Sequence, residues 1–236
     1  MAAGAVLEAF AGEAQSLAAG MASVPAAAFS RVSPCPPWTV GELLRHGATA
    51  AGRVCGMLAE PEPPAAGLVP AAGYYRAGPR FSAATNADRI AAAQRDAAGR
   101  SPAQLRTDFD RAWRAAAADV GSAAPGRRVR TRHGDPMLLT DFMRSRVLEL
   151  AVHGLDLAAG TGQPPWLTEA AAGVVEELIL PGGSDGGGSG SGAAGLRGEL
   201  GWDRATLIAK ATGRSPLTSA ERGAVTAAGL RWLALG

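Results

Sequence analysis

Lysine is almost missing from this chain. It occurs once, at Lys210, so nearly all of the positive charge is arginine. Arginine presents a planar fork to carboxylates and phosphates, which favours anionic small ligands. Cysteine is as scarce: Cys35 and Cys55 are the only two, with no CxxC pair. That excludes a disulfide scaffold and a thiolate zinc site of the finger type. Aromatic residues make up 5% of the chain and β-branched residues are thin, which argues against a sandwich or barrel. No basic segment precedes an apolar stretch at the N-terminus, so no secretory signal is expected. The alanine-rich runs are broken by glycine, proline or charge before the roughly 20 apolar residues that a membrane span needs. Neither sign of charge dominates. With 23 basic and 21 acidic residues, the formal charge is +2. Nothing in that balance calls for nucleic acid or an anionic membrane as a partner. The expectation is a cytoplasmic protein. Several nucleotide and hydrolase signatures are also absent: GxGxxG after a strand, a P-loop, a GxSxG elbow and HExxH. The glycines at 186–188 have neither the strand nor the lysine that a phosphate loop requires.

What is present is alanine, within an apolar fraction of 47% spread over 236 residues. Alanine is the strongest helix former, so the composition points to an all-α protein. Val6, Leu7, Phe10, Ala14, Leu17 and Met21 recur at spacings of three and four, predicting a first helix over 4–22. The segment RVSPCPPW at 31–38 cannot be helical, because its prolines fix φ and remove donors. Thr39 with Glu42 then forms a capping box for a second helix that runs to the proline-rich stretch 61–70. Residues 61–82 read as a loop carrying Tyr74, Tyr75 and Phe81. Two more helices are expected from about Asn86 to Ala98 and from Ser101 to about Ala118, the latter opening on Ser-Pro. Residues 121–137 read as an alternating strand or an irregular loop. A long helix follows from about Leu138 to Ala159, with Thr140 able to cap it and glycines and prolines ending it. Residues 167–180 are helical, 181–195 form a Gly/Ser-rich linker, and the tail 203–236 gives two short helices around TGRSP. The organisation is a four-helix bundle over 1–165 and a short helical C-terminal annex over 166–236.

The residues able to carry chemistry cluster on the long helix. Glu149 and His153 are four apart and share a face, with Arg146 and Asp156 one turn to either side. They interrupt an apolar stripe of Val147, Leu148, Leu150 and Val152, and a bundle core does not take up Glu and His without partners. His46 lies mid-helix among leucines and alanines. Two histidines and one carboxylate from two helices can form a facial metal triad with open positions. The same residues also suit a polar contact between helices, or a solvated face. Cys35, between prolines, reads as packed rather than reactive. His133 reads as a loop residue, although it could complete a closed structural zinc site. Arg127, Arg128, Arg130 and Arg132 form either a solvated strip or an anion site.

Three ordered motifs carry a resemblance. SPCPPWTVGELLRH resembles the opening signature of the mycothiol-dependent maleylpyruvate isomerase family, within the DinB/YfiT-like metalloproteins. LTDFMRSRVLELAVHGLDLAAGTG resembles its second signature, and GWDRATLIAKATGRSPLT its C-terminal stretch with a TGR turn. The resemblance implies a DinB-like up-down-down-up bundle. It implies a divalent metal, most commonly Zn2+, on His46, Glu149 and His153. It also implies mycothiol as cofactor or transferred nucleophile, in a cis–trans isomerase or S-transferase acting on a small electrophile. Asp156 is then a candidate for orienting a ligand. Arg146 either holds an anionic part of thiol or substrate or pairs with an acid. A metal-dependent hydrolase or lyase without thiol, and a helical module with a structural metal, are the alternatives. The chain is expected to be a monomer or homodimer. Proline stands at Pro37 where the family has glycine, Gly47 follows the first histidine, and the tail reads as helical rather than mixed α/β.

Overall fold

A computed structural model describes residues 2–76, 78, 81–180 and 192–233. Four long helices make the bundle: α1 (Ala3–Ser23), α2 (Val40–Ala59), α4 (Pro102–Gly121) and α5 (Leu139–Thr161). A shorter helix, α3 (Ala83–Ala97), packs on α2. Contacts along the helices fix their directions. Leu7 and Met21 of α1 meet Gly121 and Arg106 of α4, so these two run antiparallel. Gly41, Gly47 and Gly52 of α2 face Leu105, Phe109 and Ala112 of α4, so these run parallel. Val40 of α2 meets Gly160 of α5 while Ala50 receives a contact from Arg146, which makes that pair antiparallel. The order is up-down-down-up, as the motif resemblance implies. Its core is built from the expected stripes, with Val6, Phe10, Ala14, Leu17 and Met21 all buried.

The sequence signals at the helix starts are realised as hydrogen bonds. The Glu42 amide donates to Thr39 Oγ1 at 3.3 Å and the Thr39 amide to Glu42 Oε2 at 2.7 Å, and Ser101 and Gln104 repeat the device on α4. Helix α5 departs from expectation. It starts at Leu139 with no side-chain cap, and Thr140 lies inside it. The reason is the segment before it: 121–137 ends in a hairpin of β1 (Arg128–Arg130) and β2 (Pro136–Leu138), antiparallel with Val129 opposite Met137, which delivers the chain directly into the helix. Gly162, at φ 70°, ends α5 in the left-handed region that glycine tolerates.

Helix α6 (Glu169–Ile179) packs on both α5 and α1. Glu13, buried in α1, accepts from the Thr168 amide at 2.8 Å and hydroxyl at 2.7 Å, fixing the start of α6. Of the Gly/Ser-rich linker, 181–191 lies outside the described residues, whereas Ala193, Ala194 and Gly195 belong to α7 (Ala193–Leu200). Small residues obscured that helix in the sequence, and buried Leu196 anchors it. Helices α8 (Arg204–Ala211) and α9 (Ser219–Ala227) flank the TGRSP turn as expected. Among the described residues no helix is long and apolar enough to cross a membrane.

Candidate functional site

The proline segment before α2 shapes one wall of the site. Its chain folds back on itself, with the Ser33 amide donating to the Trp38 carbonyl at 2.8 Å and the Val40 amide to Arg31 at 2.9 Å. This turn holds Cys35 and Trp38 against the middle of α5. The Trp38 ring stacks on His46, one and a half turns into α2, at 4.6 Å between centroids.

His46, Glu149 and His153 converge. Glu149 Oε2 lies 3.5 Å from His153 Nε2 and 4.0 Å from His46 Nε2, and one potential ligand atom from each of the three falls within a common 4.8 Å. The other oxygen, Oε1, is turned away from the histidines. It lies 3.3 Å from the Tyr75 hydroxyl and 3.7 Å from Arg146 Nη2. Tyr75 also donates to the Ser145 carbonyl at 2.7 Å. The Glu149 carboxylate is therefore gripped from behind and presents one oxygen forward.

Arg146 is 2% exposed. Its guanidinium sits over the rings of Tyr74 and Phe142, at 5.3 and 4.8 Å, and its Nε donates to Ser145 Oγ. Of the two sequence readings for Arg146, the geometry displays the pairing with Glu149. Asp156 lies behind His153, with Oδ2 at 3.1 Å from Nδ1. The same oxygen accepts from Cys35 Sγ at 3.0 Å and from Arg214 Nη2 at 3.3 Å. His133 lines the same recess as the triad, and its Nε2 accepts from Arg132 Nε at 3.1 Å; it belongs to neither convergent ligand group among the described residues. Arg127, Arg128 and Arg130 instead bond carbonyls and Glu62 around the hairpin.

Electrostatics follow from this packing. Burial, reinforced by the neighbouring His153, pushes the His46 ring down to about 3, so it is neutral at physiological pH. Burial alone would raise Glu149, but the His153 hydrogen bond and the Arg146 charge outweigh it and hold the carboxyl far below its usual range. Burial opposes a charge on His153, yet its hydrogen bonds to Asp156, Cys35 and Glu149 raise it well above its ordinary value. Asp156 is desolvated but held at about 2 by His153 and Arg214.

Two spaces lie beside this group. A cavity of about 800 Å³ lies between the proline segment, α3, α5 and the annex, with Cys35, Trp38, Leu155, Asp156, Thr206 and Arg214 in its wall. A recess of about 330 Å³ lies on the other side of His46, lined by Arg53, Arg89, Arg132 and His133 beside Asp88 and Asp96. Arg53 makes no hydrogen bond or ion pair among the described residues, and burial together with the nearby Arg132 lowers its pKa. Trp38 and Arg89 line both the large cavity and the hole of about 40 Å³ at the triad itself.

Tyr75, Arg53 and Arg89 belong to the site although the sequence assigns them no role in it, and Cys35, expected only to pack, bonds Asp156. A signal existed for Arg53: it stands seven residues after His46, two helical turns along one face. Cys35 meets Asp156 across 121 residues, for which no local spacing gives a signal.

The family model for the mycothiol maleylpyruvate isomerase N-terminal domain matches residues 10–158. Two solved structures share the fold. One, a mycothiol-dependent maleylpyruvate isomerase, is 16% identical, with a TM-score of 0.55 over 76% of this chain and 70% of that one. The other, a histidine-to-alanine mutant of such an isomerase, is 15% identical, with a TM-score of 0.54 over the same shares. No curated protein matches the chain significantly. The match spans the second, fourth and fifth helices with all three convergent side chains, and the chain belongs to the mycothiol maleylpyruvate isomerase N-terminal domain family.

Proposed function

We propose that the chain is a divalent-metal-dependent enzyme that uses mycothiol, as an isomerase or S-transferase, on a small anionic electrophile. The observation that carries this reading is the convergence of His46, Glu149 and His153, with two dissimilar spaces beside it. The donor set fits a divalent ion. Its edges of 3.5 and 4.0 Å are close to the roughly 3.3–3.5 Å spanned by nitrogen and oxygen ligands on a tetrahedral ion. Three protein ligands leave a position open, as in catalytic rather than closed structural sites. When bound, the ion supplies charge that favours a thiolate at neutral pH, and mycothiol supplies the nucleophile.

The chain's own residues do the rest. Tyr75 and Arg146 hold Oε1 of Glu149 so that Oε2 points at the histidines. Asp156 accepts a hydrogen bond from Nδ1–H of His153, so that Nε2 is the nitrogen that would give up its proton and offer its lone pair to an ion in the triad. His46, neutral by burial, is ready to act as a ligand without losing a proton. The large cavity matches the size range of small-molecule sites and offers Asn86, Asp203, Thr206 and Ser215 to a hydroxylated thiol. On the other side, Arg53, Arg89 and Arg132 crowd positive charge around the recess, which suits carboxylates on the electrophile.

The test is turnover of maleylpyruvate, and of an alkylating electrophile, by the full chain with and without mycothiol. The expected result is cis–trans conversion or thiol transfer that needs both a divalent ion and the thiol and vanishes in His46→Ala. Turnover that proceeds at full rate without thiol would overturn the proposal in favour of hydrolysis or lysis.

A further inference from the structure

The thiol of Cys35 takes no part in the reading above, yet it belongs to a second convergence of ligand atoms on the opposite edge of the His153 ring. Cys35 Sγ is 3.0 Å and His153 Nδ1 is 3.1 Å from Asp156 Oδ2, and the three atoms lie within 4.8 Å of one another. The first triad faces Nε2; this group faces Nδ1. A tetrahedral ion with sulfur at about 2.3 Å and nitrogen or oxygen at about 2.0–2.2 Å spans ligand edges of about 3.4–3.6 Å. An outward shift of about half an ångström therefore converts three hydrogen-bonded atoms into three ligands.

The chemistry of the group selects its occupant. A thiolate prefers soft cations, whereas the Glu and two His of the first triad suit harder ones. One thiolate and one carboxylate balance a divalent charge, with the thiol proton and the Nδ1 proton released to solvent. Arg214 bonds both carboxylate oxygens, at 3.3 and 3.4 Å, and keeps Oδ1 when Oδ2 is taken. Cys35 and Asp156 both stand in the wall of the large cavity, which gives an ion its way in and leaves a fourth position open. Cys55 has no such neighbours in a ligand group among the described residues.

We propose that Cys35 Sγ, Asp156 Oδ2 and His153 Nδ1 form a second metal site, selective for a thiophilic divalent cation such as cadmium, that shares the His153 ring with the first. An ion there replaces the Nδ1 proton and its bond to Asp156, leaves the neutral ring's remaining proton on Nε2, and so competes with the first triad for His153. The proposal does not rest on the thiol-dependent reading, since sulfur ligation and turnover are read separately.

The test titrates cadmium chloride into the metal-free full-length chain and follows the ultraviolet sulfur-to-cadmium charge-transfer absorption. One equivalent is expected to saturate the band in the wild type, in Cys55→Ser and in the double variant His46→Ala, Glu149→Gln. Cys35→Ser should abolish it while far-ultraviolet circular dichroism stays unchanged. No band in the wild type, or a band that survives Cys35→Ser, overturns the proposal. Loss of the band in the double variant also overturns it, since Cys35 would then be a fourth ligand of the first site. Should Cys35→Ser not fold, cadmium NMR of the wild type gives the same answer: a shift typical of one thiolate ligand supports the site, and one typical of nitrogen and oxygen ligands alone refutes it.

Discussion

Asp156→Asn keeps the shape behind His153 and removes its charge. Three donors meet at Oδ2 of this carboxylate: His153 Nδ1, Cys35 Sγ and Arg214 Nη2. Arg214 Nε reaches the other oxygen at 3.4 Å. An asparagine can satisfy the three by placing its carbonyl there, but its NH2 then opposes Arg214. The Nδ1 hydrogen bond survives as a neutral one, about half as strong as its charge-assisted parent. Carboxylate partners of ligating histidines are worth about 10- to 100-fold in metal affinity. With one acceptor retained, the expected loss lies toward the lower end, about tenfold in Kd or about 1.4 kcal/mol. The assay is competition for zinc against a chromogenic chelator, on wild type and variant at one pH. A Kd within twofold of the wild type would refute the idea that Asp156 supports the first triad through His153.

Further outcomes follow from the same geometry. Arg53→Gln and Arg132→Gln each remove a charge from the recess beside His46; each should raise KM for an anionic electrophile by about tenfold, with a much smaller change in kcat, because an unmade charge-assisted contact is worth about 1.5 kcal/mol or more. Glu13 is raised from 4.5 to about 7 by burial, against its bonds from Thr168. A carboxyl with a raised folded pKa stabilises the fold while protonated, so stability should fall as pH climbs from about 4.5 to about 7, by up to about 3 kcal/mol. Glu13→Gln should flatten that fall in urea titrations across the range, and an unchanged slope would contradict it. Gly20→Ala adds a Cβ that would enter the Trp166 ring. Alanine normally favours a helix interior by about 1 kcal/mol, but overpacking costs about 1–3 kcal/mol, so thermal unfolding should move to lower temperature.

What the sequence made legible was whatever repeats along one helix. The 3.6-residue stripes give the bundle, and the Thr39–Glu42 spacing gives the start of α2. Glu149 and His153, one turn apart amid apolar neighbours, stand out for the same reason. His46 joins them only through packing of α2 on α5, and the motif resemblance supplied that link in advance of the fold. Contacts made by loops stayed hidden. Tyr75 reaches Glu149 from a turn of 3₁₀ helix, and Arg214 reaches Asp156 from the turn after α8, each across more than fifty residues. Thr140 misled because a good capping residue is no cap where a hairpin already feeds the helix. Glu13 gave no signal, since its partner Thr168 lies 155 residues away.

Hydrogen bonds tie the annex to the candidate site. Arg214 of the TGRSP turn holds Asp156, Asp156 holds His153, and His153 completes the triad. The same annex closes the large cavity through Asp203, Thr206 and Ser215. Tail and bundle therefore contribute to one site, although the family match ends at residue 158.

The most direct test of the account is the metal content of the purified chain, measured by inductively coupled plasma mass spectrometry beside His153→Ala. About one divalent ion per chain is expected in the wild type. Loss of that ion is expected in the variant, with helical circular dichroism retained. A wild-type chain that holds no ion and takes up none from added zinc, nickel or iron would contradict it, and so would a variant that keeps its ion.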